Sequence, residues 1–167
     1  RKMINQNAAI NPTAIKAAFL SLYDEEVDLR ERITSFQARI KELNSREFRG
    51  QKDYQDSRAV MVYLALQYPD SYFFYKFTMF EEFAVKMGYD YKPIAGQLST
   101  VIHYLHLCES IREELLLNNN LLKLHKERIG EREYFDAGFN ILTQDFIYAV
   151  TKYLEPNEIV PSEGEPG

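Results

Sequence analysis

The sequence predicts an all-α domain, on three observations. Apolar residues recur every three or four positions along most of the 167-residue chain, which is the spacing of one helix face. Residues that start and stop helices separate these apolar stripes. One run alone has the composition of a strand, and no second run pairs with it. We therefore expect a single domain of about seven helices over residues 1–154.

Two helices are expected before residue 45. Asn11 and Pro12 predict the start of the first, since Asn caps helices and Pro is favoured in the first turn; this helix runs to about Leu22. The second runs from about Glu25 to Asn44. Its apolar residues are spaced four and three apart and form one stripe, made of Leu29, Ile33, Phe36, Ile40 and Leu43.

A polar loop over 45–53 precedes the third helix, which we expect over residues 57–68. Nearly every residue from Val60 to Leu66 is apolar, and a helix that is apolar almost all round belongs in the centre of a fold. Pro69 and the Asp that follows it end this helix.

The aromatic run Tyr72–Phe77 is the segment with strand propensity. A short strand and an extended or single-turn connector are equally good interpretations, because a partner strand is not evident. Thr78 and Glu81 then form a capping-box pattern that predicts the start of a fourth helix. Gly88 predicts its left-handed end.

Three more helices are expected after this point. A long one covers residues 94–117, and the Asn residues that begin at Asn118 break it and can cap a short helix over 121–129. Asp136 can cap a last helix that runs to about Leu154.

The last thirteen residues, 155–167, hold three Pro, two Gly and four Glu. That composition is typical of a disordered acidic linker rather than of a folded element. A linker in this position predicts that a further domain follows it in the natural protein. The predicted organisation is thus a helical domain over 1–154 and a linker over 155–167.

Composition excludes collagen, low-complexity and disulfide-rich classes. The single cysteine, Cys108, cannot form an internal disulfide, which suits a reducing compartment. The sequence has neither an apolar stretch of membrane-spanning length nor the apolar core of a signal peptide at its start. We therefore predict a cytoplasmic protein that has no membrane partner.

The sequence does not indicate a catalytic, metal or cofactor site. His103 and His106 are one helical turn apart, as metal ligands can be, but a third and fourth ligand are not evident. Cys108 lies on an apolar helix face without a base beside it. Glycine-rich phosphate-binding motifs are absent from the sequence. We therefore expect this domain by itself not to be an enzyme.

The net charge of −5 is unevenly distributed. Residues 1–67 carry 11 Lys and Arg against 9 Asp and Glu, whereas residues 68–167 carry 9 against 16. One local basic stretch contains Arg46, Arg49, Lys52 and Arg58. Such a stretch attracts a phosphate backbone, and a solvated loop is the simpler alternative.

Tyr and Phe make up 14% of the chain and crowd into residues 68–83. Tyr rings in a connector can stack on nucleic-acid bases or anchor a protein interface, and core packing is the alternative. A DNA-reading role depends on those rings being exposed beside the basic stretch. The residues predicted to contact DNA are Arg46, Arg49, Lys52, Arg58 and Lys76 at phosphates, with Tyr72 or Tyr75 stacked on a base.

Several segments are similar to those of one known family. They are Tyr23–Glu26, Asp56–Val60, Tyr68–Phe77, Phe80–Phe83 and the pair Gln144-Asp145. In these segments and in the order of its helices, the chain resembles the helical region upstream of the AAA+ motor in McrB-like proteins of modification-dependent restriction systems.

The resemblance covers roughly residues 19–154 and implies a piece of a larger GTP- or ATP-driven restriction protein. It implies a motor that follows the linker in the same chain and a nuclease as a separate subunit. The region upstream of the motor would read target DNA or modified bases. The alternative is an assembly module that packs on the motor or on a partner subunit without touching DNA, and an acidic surface favours that alternative.

Overall fold

The computed structural model describes residues 2–130 and 132–155, and all regular structure in those ranges is α-helical. The prediction of an all-α domain is therefore confirmed for the described part of the chain. The helices are α1 (Lys2–Ile10), α2 (Pro12–Leu22), α3 (Leu29–Glu47), α4 (Ser57–Gln67), α5 (Phe77–Lys86), α6 (Leu98–Leu117), α7 (Asn119–Arg128) and α8 (Asn140–Tyr153).

Helix α1 was not predicted, since the first helix was expected at Asn11. It packs on α2 and α3, and Met3 and Ile4 are buried there. The amide of Asn7 is also buried, donating to the Met3 carbonyl and, at 3.0 Å, to the side-chain oxygen of Asn44 in α3. A helix of nine residues is marginal by itself and depends on these distant contacts, so its sequence carries only a weak signal.

The start of α2 is as predicted: Asn11 is its N-cap and accepts a hydrogen bond from the Ala14 backbone N–H. Helix α3 starts at Leu29 instead of Glu25, because the Asp28 carboxylate caps it. The expected stripe of α3 is confirmed, and four of its members are buried: Ile33, Phe36, Ile40 and Leu43.

Helix α4 contributes Val60, Met61 and Leu64 to the core, where each is fully buried. Its central position is thus as expected, but its burial is one-sided, since Leu66 is exposed. Asp56 caps its first turn by accepting a hydrogen bond from Ala59.

The aromatic run after α4 is an extended connector, and no strand occurs among residues 2–130 and 132–155. The Gln144 side-chain amide from α8 takes the place of a partner strand. It accepts from the Phe74 N–H at 3.3 Å and donates to the Phe74 carbonyl at 3.0 Å. The Tyr104 hydroxyl donates to the same carbonyl at 2.9 Å.

Helix α5 begins at Phe77 with Lys76 at the N-cap, where no side chain makes a capping hydrogen bond. The predicted capping box of Thr78 and Glu81 is therefore wrong: Thr78 already lies inside the first turn. At the other end, Gly88 has the left-handed backbone that was expected of it, with φ +61°.

The last two helices have polar caps near the predicted positions. Asn118 accepts from the Leu121 N–H at the start of α7. Helix α8 begins at Asn140, later than expected, yet the Asp136 carboxylate still accepts from its first turn, at the Ile141 N–H.

Two groups of helices share the apolar core. In the first, α1, α2 and α3 pack on one another; in the second, α8 packs against α5 and α6. Within the described ranges, none of the helices combines the length and the apolar character that crossing a membrane requires. The predicted disordered linker lies outside the described residues from residue 156 onward.

Candidate functional site

The two tyrosines predicted to stack on DNA bases are in the core, which corrects that part of the prediction. Tyr72 is 9% exposed and Tyr75 is 6% exposed. The Tyr72 hydroxyl accepts from the Arg32 guanidinium at 2.7 Å and donates to the Glu25 carboxylate. The Tyr75 ring meets Tyr104 edge-on, and burial raises the pKa of Tyr75 to about 12. Both rings are structural because the connector is covered by helices on more than one side. They therefore do not support a DNA-reading role, and any such role must rest on other residues.

Three of the predicted basic residues come together on one surface. Arg46 and Arg49 line a shallow groove along the exposed side of α3. Lys52 lines an adjoining groove between α3 and the loop that follows it. Both grooves are lined by Lys41, which was not among the residues predicted to contact DNA.

Two other predicted contacts are exposed but line neither groove. Arg58 is on the first turn of α4, and Lys76 is at the start of α5. The structure therefore gathers a smaller basic group than the sequence suggested, with Lys41 in place of these two.

Tyr54 is the aromatic residue that the structure places beside this basic group. Its side chain is 66% exposed and lines the same groove as Lys41 and Lys52. The sequence does indicate an exposed position for Tyr54, because it is an isolated aromatic residue in a polar loop within the basic stretch. We call the set formed by Lys41, Arg46, Arg49, Lys52 and Tyr54 the Tyr54 surface.

The Tyr54 backbone is in the left-handed region, with φ +58°. A residue other than Gly, Asn or Asp is unusual there, and the conformation persists only where neighbouring contacts impose it. The contacts that hold the loop on both sides of Tyr54 are the physical basis of this surface.

On the N-terminal side of Tyr54, the loop is bonded to α3. The Asn44 side-chain amide donates to the Gln51 carbonyl at 2.8 Å. Asn44 in turn accepts from Asn7, so a buried amide chain links α1, α3 and the loop.

On the C-terminal side, Gln55 is buried and bonded to two helices. Its backbone carbonyl accepts from Gln37 of α3 at 3.0 Å, and its side-chain oxygen accepts from the Tyr63 hydroxyl of α4 at 2.8 Å. The loop is therefore fixed at both ends, and Tyr54 is held outward between them.

Acidic residues partly neutralise the positive charge of the Tyr54 surface. Glu42 lies 3.7 Å from Arg46, in an exposed pair of the kind that contributes little free energy. Asp53 accepts from the Gln55 N–H, and Asp56 caps α4. These two carboxylates are thus bonded to the backbone of the loop and of α4.

His103 and Cys108 have structural surroundings, whereas His106 is exposed. His103 stacks on Tyr91 at 3.7 Å between ring centroids, and among the residues described no three His, Cys, Asp or Glu side chains converge as metal ligands do. Cys108 is buried, which raises the pKa of its thiol to about 12. The thiol is therefore neutral at physiological pH and is a poor nucleophile.

A second open surface lies between α6 and the C-terminal end of α5, beside α8. It is an apolar groove of about 420 Å³, lined mainly by Phe83, Met87, Tyr89, Leu107, Ile111, Leu115 and Phe146. We call it the α5–α6 groove.

The Tyr54 surface and the α5–α6 groove share none of their lining residues, so each can be tested without altering the other. No family model matches this sequence, and neither a curated protein nor a solved structure is significantly similar to it.

Proposed function

We propose that this chain is a non-catalytic DNA-binding domain that uses the Tyr54 surface, as the recognition or accessory domain of a larger McrB-like restriction GTPase or ATPase. The observation that carries the proposal is Tyr54, an exposed ring held on a left-handed backbone next to Lys41 and Lys52. The link to McrB-like proteins rests on the sequence resemblance, and so do the motor in the same chain and the nuclease subunit. A cytoplasmic location is proposed from the single cysteine and from the sequence's lack of a membrane-spanning stretch and a signal-peptide core.

Backbone strain supports a binding role for Tyr54. A left-handed conformation at a residue other than Gly costs about 1–3 kcal/mol. The Tyr54 ring does not recover this cost by burial, since it is largely exposed. Strain kept at an exposed aromatic residue by two anchored flanks is typical of a side chain preorganised for a ligand.

The four cations of the Tyr54 surface support a polyanion as that ligand. Each can neutralise a phosphate and release the counterions condensed on the DNA, which gives affinity without sequence preference. A base stacked on the Tyr54 ring would add about 1–3 kcal/mol. Phosphate contacts would thus position the DNA, and Tyr54 would engage an unpaired or flipped base.

Fluorescence anisotropy with labelled DNA tests this proposal. The panel contains a single strand, an unmodified duplex and duplexes with modified cytosine. Tyr54→Ala should weaken binding to the preferred DNA by roughly 5- to 150-fold, from the loss of one stacked base.

Tyr134→Ala is the matched control, because Tyr134 is also a loop tyrosine and is 67% exposed. It should bind as the unaltered protein does. Equal losses in both variants, or absence of salt-sensitive binding to every DNA in the panel, would overturn the proposal.

A second candidate function, an assembly module, is favoured by the α5–α6 groove. Met87 and Phe146 are 44% and 38% exposed within it, and contiguous exposed apolar surface is typical of protein interfaces. Light scattering on the parent protein with and without residues 1–154 tests this function, since an unchanged assembly state would argue against it.

A further inference from the structure

The shape of the α5–α6 groove matches the side of a helix. Leu107, Ile111 and Leu115 follow one another at four-residue spacing and form a stripe along α6 about 12 Å long. Phe83 and Met87 of α5 and Phe146 of α8 complete the lining. A partner helix can place two to three turns of apolar side chains into such a groove.

The floor of the groove is buried and its rim is open. Phe83, Leu107 and Leu115 belong to the buried residues, whereas Met87 and Phe146 are exposed. The floor is therefore part of the folded core, and the rim is available to a partner. Flexible Met side chains are common in surfaces that accept helices.

Acidic groups lie within the groove and at its ends. Glu114 lines the groove itself and also the adjoining depression near Asn118. Beyond Tyr89, at the other end, the neighbouring depression is lined by Glu81 and Asp90 together with a single cation, Lys92. The groove and the two depressions beside it are thus lined by three carboxylates and one ammonium, which makes the electrostatic potential there negative.

The closest cation on α5 is already engaged. The Lys86 ammonium donates to the carbonyl oxygens of Val150 and Leu154 at the C-terminal end of α8. There it compensates the negative end of that helix. Lys86 therefore reinforces the α5–α8 contact.

We propose that the α5–α6 groove binds an amphipathic helix of a partner protein whose apolar stripe is flanked by Lys or Arg. The apolar floor provides affinity, and the acidic groups select a cationic partner over an anionic one. The chain's own segment 155–167 does not fit this chemistry, because it contains four Glu and three Pro. This inference rests on the assembly function and is independent of DNA binding.

The test uses designed peptides of about 14 residues, long enough for the groove as a helix. One has Leu on one face and Lys on the other, a second replaces Lys by Glu, and a third scrambles the order of the first. Calorimetry should detect binding of the first peptide and at least tenfold weaker binding of the other two. Equal affinity for the ordered and scrambled Lys peptides would overturn the proposal.

Variants locate the binding site. The double substitution Met87→Ser with Phe146→Ser should weaken the Leu/Lys peptide about tenfold, since two exposed apolar contacts are lost. Its control is Leu20→Ser, which removes an exposed apolar side chain from α2 and should leave binding unchanged.

Charge reversal tests the selectivity. Glu114→Lys should weaken the Leu/Lys peptide and strengthen the Leu/Glu peptide, whereas Glu26→Lys makes the same charge change away from the groove and should do neither. Equal effects of the two variants would show attraction by net charge alone and would overturn the proposed site.

Peptide binding and assembly of the parent protein can be measured separately, so each proposal can fail without the other. If the double variant disrupts assembly of the parent protein but the Leu/Lys peptide does not bind, the groove is an interface and the partner chemistry is wrong. If the peptide binds as expected and assembly is unaffected by the double variant, the helix-binding site stands and the assembly function fails.

Discussion

At the scale of single residues, an aromatic side chain cannot be assigned to core or surface from its neighbours in sequence. Tyr72 and Tyr54 show the difference. Tyr72 lies in the aromatic run and is buried on the Arg32 guanidinium, which is 40 positions earlier in the chain. Tyr54 lies in a polar loop and is exposed because distant amides anchor its flanks. Three basic residues of the Tyr54 surface, Arg46, Arg49 and Lys52, could be named from the sequence. The aromatic residue beside them, Tyr54, could not.

The buried contact between Tyr72 and Arg32 leads to a stability prediction. Arg32 is nearly fully buried, and its guanidinium is bonded to the Tyr72 hydroxyl and to the Leu22 carbonyl. Tyr72→Phe removes one partner of a buried charge and should lower the free energy of unfolding by about 1–3 kcal/mol in urea denaturation.

DNA affinity should be unchanged in Tyr72→Phe, because the hydroxyl is bonded to Arg32 and Glu25 and does not line the Tyr54 surface. Tyr148→Phe, at an exposed tyrosine of α8, should alter stability by less than about 0.5 kcal/mol. A lower DNA affinity in the folded Tyr72→Phe protein would contradict the structural role given to this residue.

At the scale of elements, the sequence predicted best what local chemistry decides. Asn11, Asn118 and Asp136 each accept hydrogen bonds from helical N–H groups, as expected of polar caps. Thr78 followed the same local rule and was wrong, because Phe77 is drawn into the helix by packing against the core. Helix α1 was missed for the same reason: its burial depends on contacts distant in sequence.

The connector between α4 and α5 provides a test of such a distant contact. Gln144 bonds both polar groups of the Phe74 peptide unit, as a neighbouring strand would. Gln144→Glu keeps the acceptor but replaces the donor by a second oxygen that faces the Phe74 carbonyl. We expect a loss of about 1–2 kcal/mol in stability and faster hydrogen exchange at the Phe74 amide.

Gln67→Glu, at the exposed end of α4, makes the same chemical change without such a contact and should leave both measurements unaltered. If Gln144→Glu leaves both the free energy of unfolding and the exchange rate at the Phe74 amide unchanged, the side chain does not act as the connector's partner.

At the scale of the whole molecule, buried titratable groups connect stability to pH. Burial raises the pKa of Cys108 from 9.0 to about 12 and that of Tyr75 from 10.0 to about 12. It raises the pKa of Tyr104 well above 10.0 as well. The folded state therefore holds these protons more tightly than the unfolded chain does. The stabilisation is complete below about pH 9 and is lost as the pH rises toward 12.

We accordingly expect the free energy of unfolding to fall steadily above about pH 9. Thermal unfolding followed at a series of pH values measures this loss. Cys108→Ala removes one of these groups, so the stability of this variant should decline less steeply over the same range. A stability that stays constant to pH 11 would contradict the protonated core described here.

The net charge of this chain is a poor guide to its function. The net value of −5 repels DNA on average, yet four cations, Lys41, Arg46, Arg49 and Lys52, outnumber the three carboxylates that line the same two grooves. Acidic groups likewise collect at the α5–α6 groove, where a cationic helix would bind. Each surface therefore has its own electrostatic preference, and the two proposed partners need not compete.

Because the Tyr54 surface is proposed to bind DNA through phosphates, its affinity for DNA should depend steeply on salt concentration. For a duplex, the logarithm of the association constant should fall linearly with the logarithm of salt concentration, at about 0.9 per phosphate neutralised. Changing Lys41, Arg49 and Lys52 to Gln together should reduce that slope by about 2–3 and weaken binding at low salt. An unchanged slope in this variant, or an affinity that does not respond to salt, would rule out phosphate contacts at the Tyr54 surface.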